Sequence, residues 1–345
     1  MKKIFLLITI FSAALFTSCD GFLDVAPTNQ GDATKAILNA NDAKVAISGL
    51  MRKMGSSDYY GRNFILYADA KGGDLAIRSQ GRGNDALYTF NHSATSNAYG
   101  GFWAQIYNCI LQANNIIMNI EKIEAAGNGS ATLSDYKGQA LTLRALFYFD
   151  LVRLYGKPYN MDKTSYGVPL VLTTITAKAK PTRSTVEQVY TQIVKDLTDA
   201  EPLLSKTVGT STNGYVTYYA NKAIQARVYL HMNNNSLALA AAEAVITSTK
   251  YTLYSNANWV ASWSKEFGSE AILELGMYAN EADLGTGSLG YYLLRKSKVT
   301  NAMGYFMGSD AFVARMGEDA TDVRKGIMDY DETYSETGIY RYVPA

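Results

Sequence analysis

The strongest constraint on this chain's fold is a helical rhythm running from Phe102 to Tyr155. Phe102, Ile106, Cys109 or Ile110, Ala113, Ile116 or Ile117 and Ile120 recur every three or four residues. That spacing lays one apolar stripe along a helix. Gly127-Asn128-Gly129 breaks the run, and a partner helix is predicted over 135–155. Its residues Ala140, Leu143, Phe147 and Leu151 share a face, and Gly156 followed by Pro158 stops it. Two long helices in direct succession require a mostly α fold, because each stripe must be buried against another element.

The rest of the chain extends this pattern. A first helix is predicted over 41–54, with Val45, Ile47, Leu50, Met51 and Met54 apolar and Gly55-Ser56-Ser57 as its stop. Ser184-Thr185-Val186-Glu187 reads as a capping box opening a helix through Val189, Ile193, Leu197 and Leu204, with Pro202 marking its end. Helices follow at 218–232 and 236–247, joined by Asn233-Asn234-Asn235, and Ala240-Ala241-Ala242 permits close helix approach. Successive helix pairs with small contact residues predict a tetratricopeptide-like helical-repeat scaffold without a strict period. Residues 68–101 are dense in glycine, asparagine and serine, so they read as loop with a short strand at 87–90. Residues 285–308 read as a second glycine- and tyrosine-rich loop, and Ala271–Leu275 as a strand.

The first nineteen residues carry an export signal. Met1-Lys2-Lys3 precedes an apolar run from Ile4 to Leu15, then Phe16-Thr17-Ser18 and Cys19. The run is shorter than the ~20 apolar residues that cross a bilayer. Small residues before a cysteine indicate a lipoprotein signal over 1–18, with lipid carried by Cys19 and a tether over 19–34 ahead of a helical domain over 35–345.

Composition excludes several chemistries. The chain has 32 Lys+Arg against 31 Asp+Glu, so no charge surplus drives it onto nucleic acid. With two cysteines, and Cys19 lipidated, Cys109 has no disulfide partner. Two histidines, His92 and His231, weaken triads and zinc ligation, and no metal or cofactor is expected. Twenty-six tyrosines offer flat apolar faces with polar tips, suited to ring-shaped polar ligands and equally to packing between helices.

Several ordered segments resemble the SusD/RagB-like lipoproteins. Cys19-Asp20-Gly21-Phe22-Leu23-Asp24 is similar to the family's mature start. Phe102-Trp103, Ile106-Tyr107 and Ala113-Asn114-Asn115 resemble its Trp-x-x-Ile-Tyr…Ala-Asn helix. Leu143-Arg144-Ala145-Leu146-Phe147-Tyr148-Phe149-Asp150-Leu151-Val152-Arg153-Leu154-Tyr155-Gly156 resembles its most distinctive segment. Gly167-Val168-Pro169-Leu170, the stretch Pro181–Tyr190, Ala226-Arg227-Val228-Tyr229-Leu230 and Asp322-Val323-Arg324 follow in family order. The resemblance implies a non-catalytic lipoprotein on the outer face of the outer membrane. It would capture oligosaccharides, or in some members peptides, and pass them to a SusC-like TonB-dependent transporter. It also implies a further C-terminal helical pair that this sequence does not carry, so unburied apolar surface is expected near the C-terminus.

Ligand residues are sought in the two loops, where aromatic faces accompany hydrogen-bonding side chains. Arg78, Asn84, Tyr88, Asn91 and Tyr99 are the candidates in the first, and Tyr291, Tyr292 and Tyr305 in the second. Trp103, Trp259 and Trp263 are expected in the core. Gly285-Thr286-Gly287-Ser288-Leu289-Gly290 fits a dinucleotide pattern but lacks the strand that should precede it, so it is expected to be a loop. Two alternative functions follow from the residues: a helical-repeat scaffold binding protein or peptide partners, and a secreted glycoside hydrolase using a pair such as Asp69 and Asp74 or Glu270 and Glu274.

Overall fold

The computed structural model describes residues 36–77, 89–90, 101–176, 178–209, 214–277, 285–294, 303–331 and 336–339. The compact unit begins at Ile37 and is mostly α, as the periodicity requires. Helix α1 spans Ala40–Met54, with Asn39 accepting hydrogen bonds from the backbone N–H groups of Asn41 and Asp42 and Gly55 ending it. Ile47, Leu50, Met51 and Met54 are buried as predicted, whereas Val45 points into solvent. A tight turn leads to α2, Asn63–Gly72, so the first predicted loop begins as helix. Gly61 is needed in that turn, because a Cβ there would lie 2.2 Å from the Gly55 carbonyl oxygen.

Helices α3 (Gly101–Ala125) and α4 (Ala131–Tyr155) form the predicted long pair, and Ser130 caps the second of them. Helix α4 is the centre of the molecule, packing against α1, α3, α5 (Val186–Ala200) and α6 (Tyr218–His231). Every residue from Gly138 to Val152 is therefore buried, and the single apolar face expected for this helix widens to its whole girth. Gly138 lets the turn that follows α5 approach, since a Cβ would meet Leu203 and Leu204 at 3.1 Å.

Burying the girth of α4 also buries its polar side chains, and most of their polar atoms find a partner, as desolvation demands, Gln139 Oε1 and Arg153 Nε being exceptions among the described residues. Arg144 forms a two-pronged ion pair with Asp196 of α5, at 2.8 and 2.7 Å, and also donates to Asn114 of α3 at 2.9 Å. Asn114 in turn donates to the Val171 carbonyl at 2.8 Å. The Tyr148 hydroxyl donates to the same carbonyl at 2.8 Å and accepts from the Val171 N–H at 2.6 Å. One extended segment is thus riveted across the helix pair. Asp150 accepts from the Tyr59 and Tyr60 hydroxyls of the α1–α2 turn and pairs with Arg153. Cys109 is buried and unbridged, and burial pushes its thiol up to about 12.

The cap of α5 sits one residue later than expected. Thr185 caps the helix, and Gln188, not Glu187, returns the bond to the Thr185 N–H. Glu187 instead pairs with Lys163 at the surface. The helix ends at Ala200, with Pro202 in the following 3-10 turn. Helices α6 and α7 (Asn235–Ile246) pack as an antiparallel pair, turned by Asn233 in a left-handed conformation (φ 59°). Of the three predicted contact alanines, Ala241 is the one buried, while Leu230, Leu237, Leu239 and Ile246 are exposed.

Beyond α7 the chain is less regular. Helix α8 is Asn256–Ser262, α9 is Leu289–Leu293 and α10 is Asp310–Arg315. Ala271–Leu275 is not a strand. Strand β1 (Leu75–Ile77) pairs antiparallel with β2 (Phe306–Gly308), and β3 (Met328–Asp331) with β4 (Glu336–Ile339). Of the strand predicted at 87–90, Thr89 and Phe90 lie in a turn, and the other two residues lie outside the described ones.

Candidate functional site

The β1–β2 ribbon brings together the two loops in which ligand residues were sought. Leu75 opposes Gly308, Ala76 opposes Met307 and Ile77 opposes Phe306. The first loop therefore leaves the fold at the point where the second arrives. Arg78, Asn84, Tyr88, Asn91 and Tyr99 lie outside the described residues, as does Cys19.

Tyr291, Tyr292 and Tyr305 are brought together. Ser288 caps α9 by accepting from the Tyr291 N–H, which fixes where the helix begins. The chain then returns alongside: the Met303 N–H donates to the Tyr291 carbonyl at 2.9 Å and the Tyr305 N–H to the Tyr292 carbonyl at 2.8 Å. The rings follow the backbone, with centroids 6.1 Å apart for Tyr291 and Tyr292 and 5.1 Å apart for Tyr292 and Tyr305. Arg62 of the α1–α2 turn covers the Tyr292 ring at 4.2 Å and donates to the Gly287 carbonyl at 3.0 Å.

The three tyrosines are not equivalent. Tyr305 is buried and belongs to the core, and one face of Tyr292 is occupied by the guanidinium. Tyr291 is half-buried. The glycine-rich stretch beside them is more ordered than a loop: Gly285–Gly287 is a 3-10 turn leading into the five-residue α9. Sequence reasoning missed Arg62, whose role depends on a chain reversal more than two hundred residues away.

A second concavity, an open groove of about 840 Å³, lies at the C-terminal end of α4. Tyr155, Lys157, Tyr166 and Arg183 line it. Two of its cations are already engaged: Arg183 donates to the Gly167 and Tyr155 carbonyls, and Lys157 pairs with Asp162. Trp103, expected in the core, is part-exposed beside Tyr155, with ring centroids 5.0 Å apart. Trp259 and Trp263 do share a face, 5.5 Å apart, but Trp263 is also exposed.

Of the carboxylates considered for hydrolysis, Glu274 is, like Asp69, raised above its ordinary value by burial. Glu270 accepts from the Tyr254 N–H and Glu274 from the Phe267 N–H, so both organise a turn. Asp69 is raised above the usual carboxylate range, first by burial and then by the charge of Asp74. Among the described residues, no three His, Cys, Asp or Glu side chains converge as a metal site would require.

Comparison with known proteins places this architecture. The profile of the SusD-like family described as "Starch-binding associating with outer membrane" matches residues 21–230, more than half of the chain. A SusD-like protein of Bacteroides ovatus is 27% identical over 231 residues, covering 65% of this chain and 39% of that protein. A solved SusD superfamily protein of Bacteroides thetaiotaomicron superposes with a TM-score of 0.76 at 31% identity, covering 86% of this chain and 65% of its own. A putative sugar binding protein of Bacteroides vulgatus gives 0.78 at 29% identity, over 90% of this chain and 68% of its own. The chain thus spans well under half of the Bacteroides ovatus relative and about two thirds of the solved ones. Profile, topology and the order of the helices agree, and the chain belongs to the SusD-like family.

Proposed function

We propose that this protein captures oligosaccharides at the tyrosine cluster beside the β1–β2 ribbon, without catalysis. It then delivers them to a SusC-like TonB-dependent transporter. In this reading residues 1–18 are removed, lipid on Cys19 holds the protein at the outer face of the outer membrane, and residues 19–34 are the tether to the helical domain. The carrying observation is the junction of two aromatic-rich loops by β1 and β2, with Tyr291, Tyr292 and Arg62 at its edge. A tyrosine face stacks on the apolar C–H side of a sugar ring, while neighbouring polar groups read its hydroxyls. The family's starch-binding character and its likeness to the putative sugar binding protein of Bacteroides vulgatus support a saccharide over a protein partner.

Calorimetry of the full chain against neutral oligosaccharides tests this reading. Binding without product release is expected, and Tyr291→Ala should weaken it roughly fivefold, the loss of one stacked ring at about 1 kcal/mol. A loss caused by Trp103→Ala or Tyr166→Ala, with Tyr291→Ala neutral, would move the site to the groove. Saccharide cleavage abolished by Asp69→Asn would make the protein a hydrolase. Cys19→Ser should release the protein from the membrane fraction, and its retention there would refute the anchor.

A further inference from the structure

Phe149, in the C-terminal third of α4, has basic side chains around its ring. The Arg153 guanidinium carbon lies 4.4 Å from its ring centroid and that of Arg227 5.9 Å. The His231 imidazole stands edge-on to the same ring at 5.0 Å. Two helices build this cluster by the same device. Phe149 and Arg153 are four apart on α4, and Arg227 and His231 are four apart on α6, so each pair shares a helix face. The two guanidinium carbons are therefore within about 10 Å of each other.

The charges do not balance locally. Arg153 pairs with Asp150, but that carboxylate is already shared with the Tyr59 and Tyr60 hydroxyls. The buried Nε of Arg153 has no hydrogen-bond partner among the described residues. Arg227 makes neither an ion pair nor a hydrogen bond among them, and its side chain is exposed. Tyr60 beside Asp150, and Tyr190 of α5 at 6.2 Å from Phe149, are further titratable groups around the ring, and both are neutral at physiological pH. Two guanidiniums thus lie around Phe149, one of them paired with the single buried carboxylate Asp150, and His231 adds a second surplus charge when protonated. Consistent with this field, His231 is held below the ordinary imidazole value by burial, then by Arg153 and Arg227.

We propose that Arg153, Arg227 and His231 form an oxyanion site that takes the carboxylate or sulfate group of an acidic saccharide. Planar guanidinium groups match the geometry of both oxyanions. The saccharide part of this assignment rests on the function proposed above, and the oxyanion part does not.

The full chain with labelled histidines should show two imidazole signals, His92 and His231, and His92→Gln assigns them. Saturating sulfate and saturating glucuronate, at ionic strength matched with sodium chloride, should each raise the His231 pKa by about one unit. Glucose should leave it unmoved. Arg227→Gln, a surface change, should remove most of the rise with the circular dichroism unchanged. An imidazole titration untouched by both anions overturns the site, and so does an equal shift with glucose. A response to sulfate but not to glucuronate overturns the saccharide assignment alone. Absence of neutral-sugar binding at Tyr291 would leave this readout intact, so the two readings fail separately.

Discussion

Arg144 and Asp196 are the residues whose environment depends most on the rest of the fold. Both are buried, and their two-pronged pair with Asn114 leaves no charge uncompensated. Removing one partner strands the other in a low-dielectric interior. Asp196→Ala is expected to cost about 3–5 kcal/mol in denaturant unfolding. A cost below about 1 kcal/mol would show that water reaches Arg144. The sequence makes Arg144 visible as a charge inside an apolar run, yet its partner is unreadable there. Asp196 is 52 residues away, and only the α4–α5 packing brings it into reach. The same holds for Arg153 and Arg227: each is one basic residue on a helix until Phe149 draws them together.

At the scale of single elements, local sequence carried most of the information. The helices were legible because their periodicity and caps act over a few residues. The errors were also local. The pattern Ser184 with Glu187 predicts the start of α5 one residue early, whereas Thr185 and Gln188 form the reciprocal cap. Both registers satisfy the pattern, and the surface pairing of Glu187 with Lys163 helps choose between them. Thr185→Ala should therefore lower stability by about 1 kcal/mol. Glu187→Ala should leave the unfolding midpoint almost unmoved, because its ion pair is solvent-screened. The reverse order would place the cap at Ser184 with Glu187.

At the scale of the whole molecule, burial follows position in the stack. Helix α4 is enclosed on all sides, while α7 touches α6 and leaves Leu237, Leu239 and Ile246 exposed. Changing any one of these three to serine should alter stability by less than about 0.5 kcal/mol in thermal unfolding, since the side chain is already in water. A larger loss would mean that this face is covered. Among the described residues, exposed apolar side chains gather on the α6–α7 pair, with Leu253 and Trp263 beyond it, and the expectation of unburied apolar surface at the C-terminus falls on residues 340–345, outside the described ones.

The sequence by itself determined the long helices, their order and the family, because periodicity, caps and ordered motifs are written in neighbouring residues. Tertiary structure alone decided that α4 is buried all round, that two distant loops meet through β1 and β2, and that Arg62 caps Tyr292. Those outcomes are set by contacts between residues far apart in the chain. Their free energy comes from excluding water between whole elements, and no local pattern encodes it.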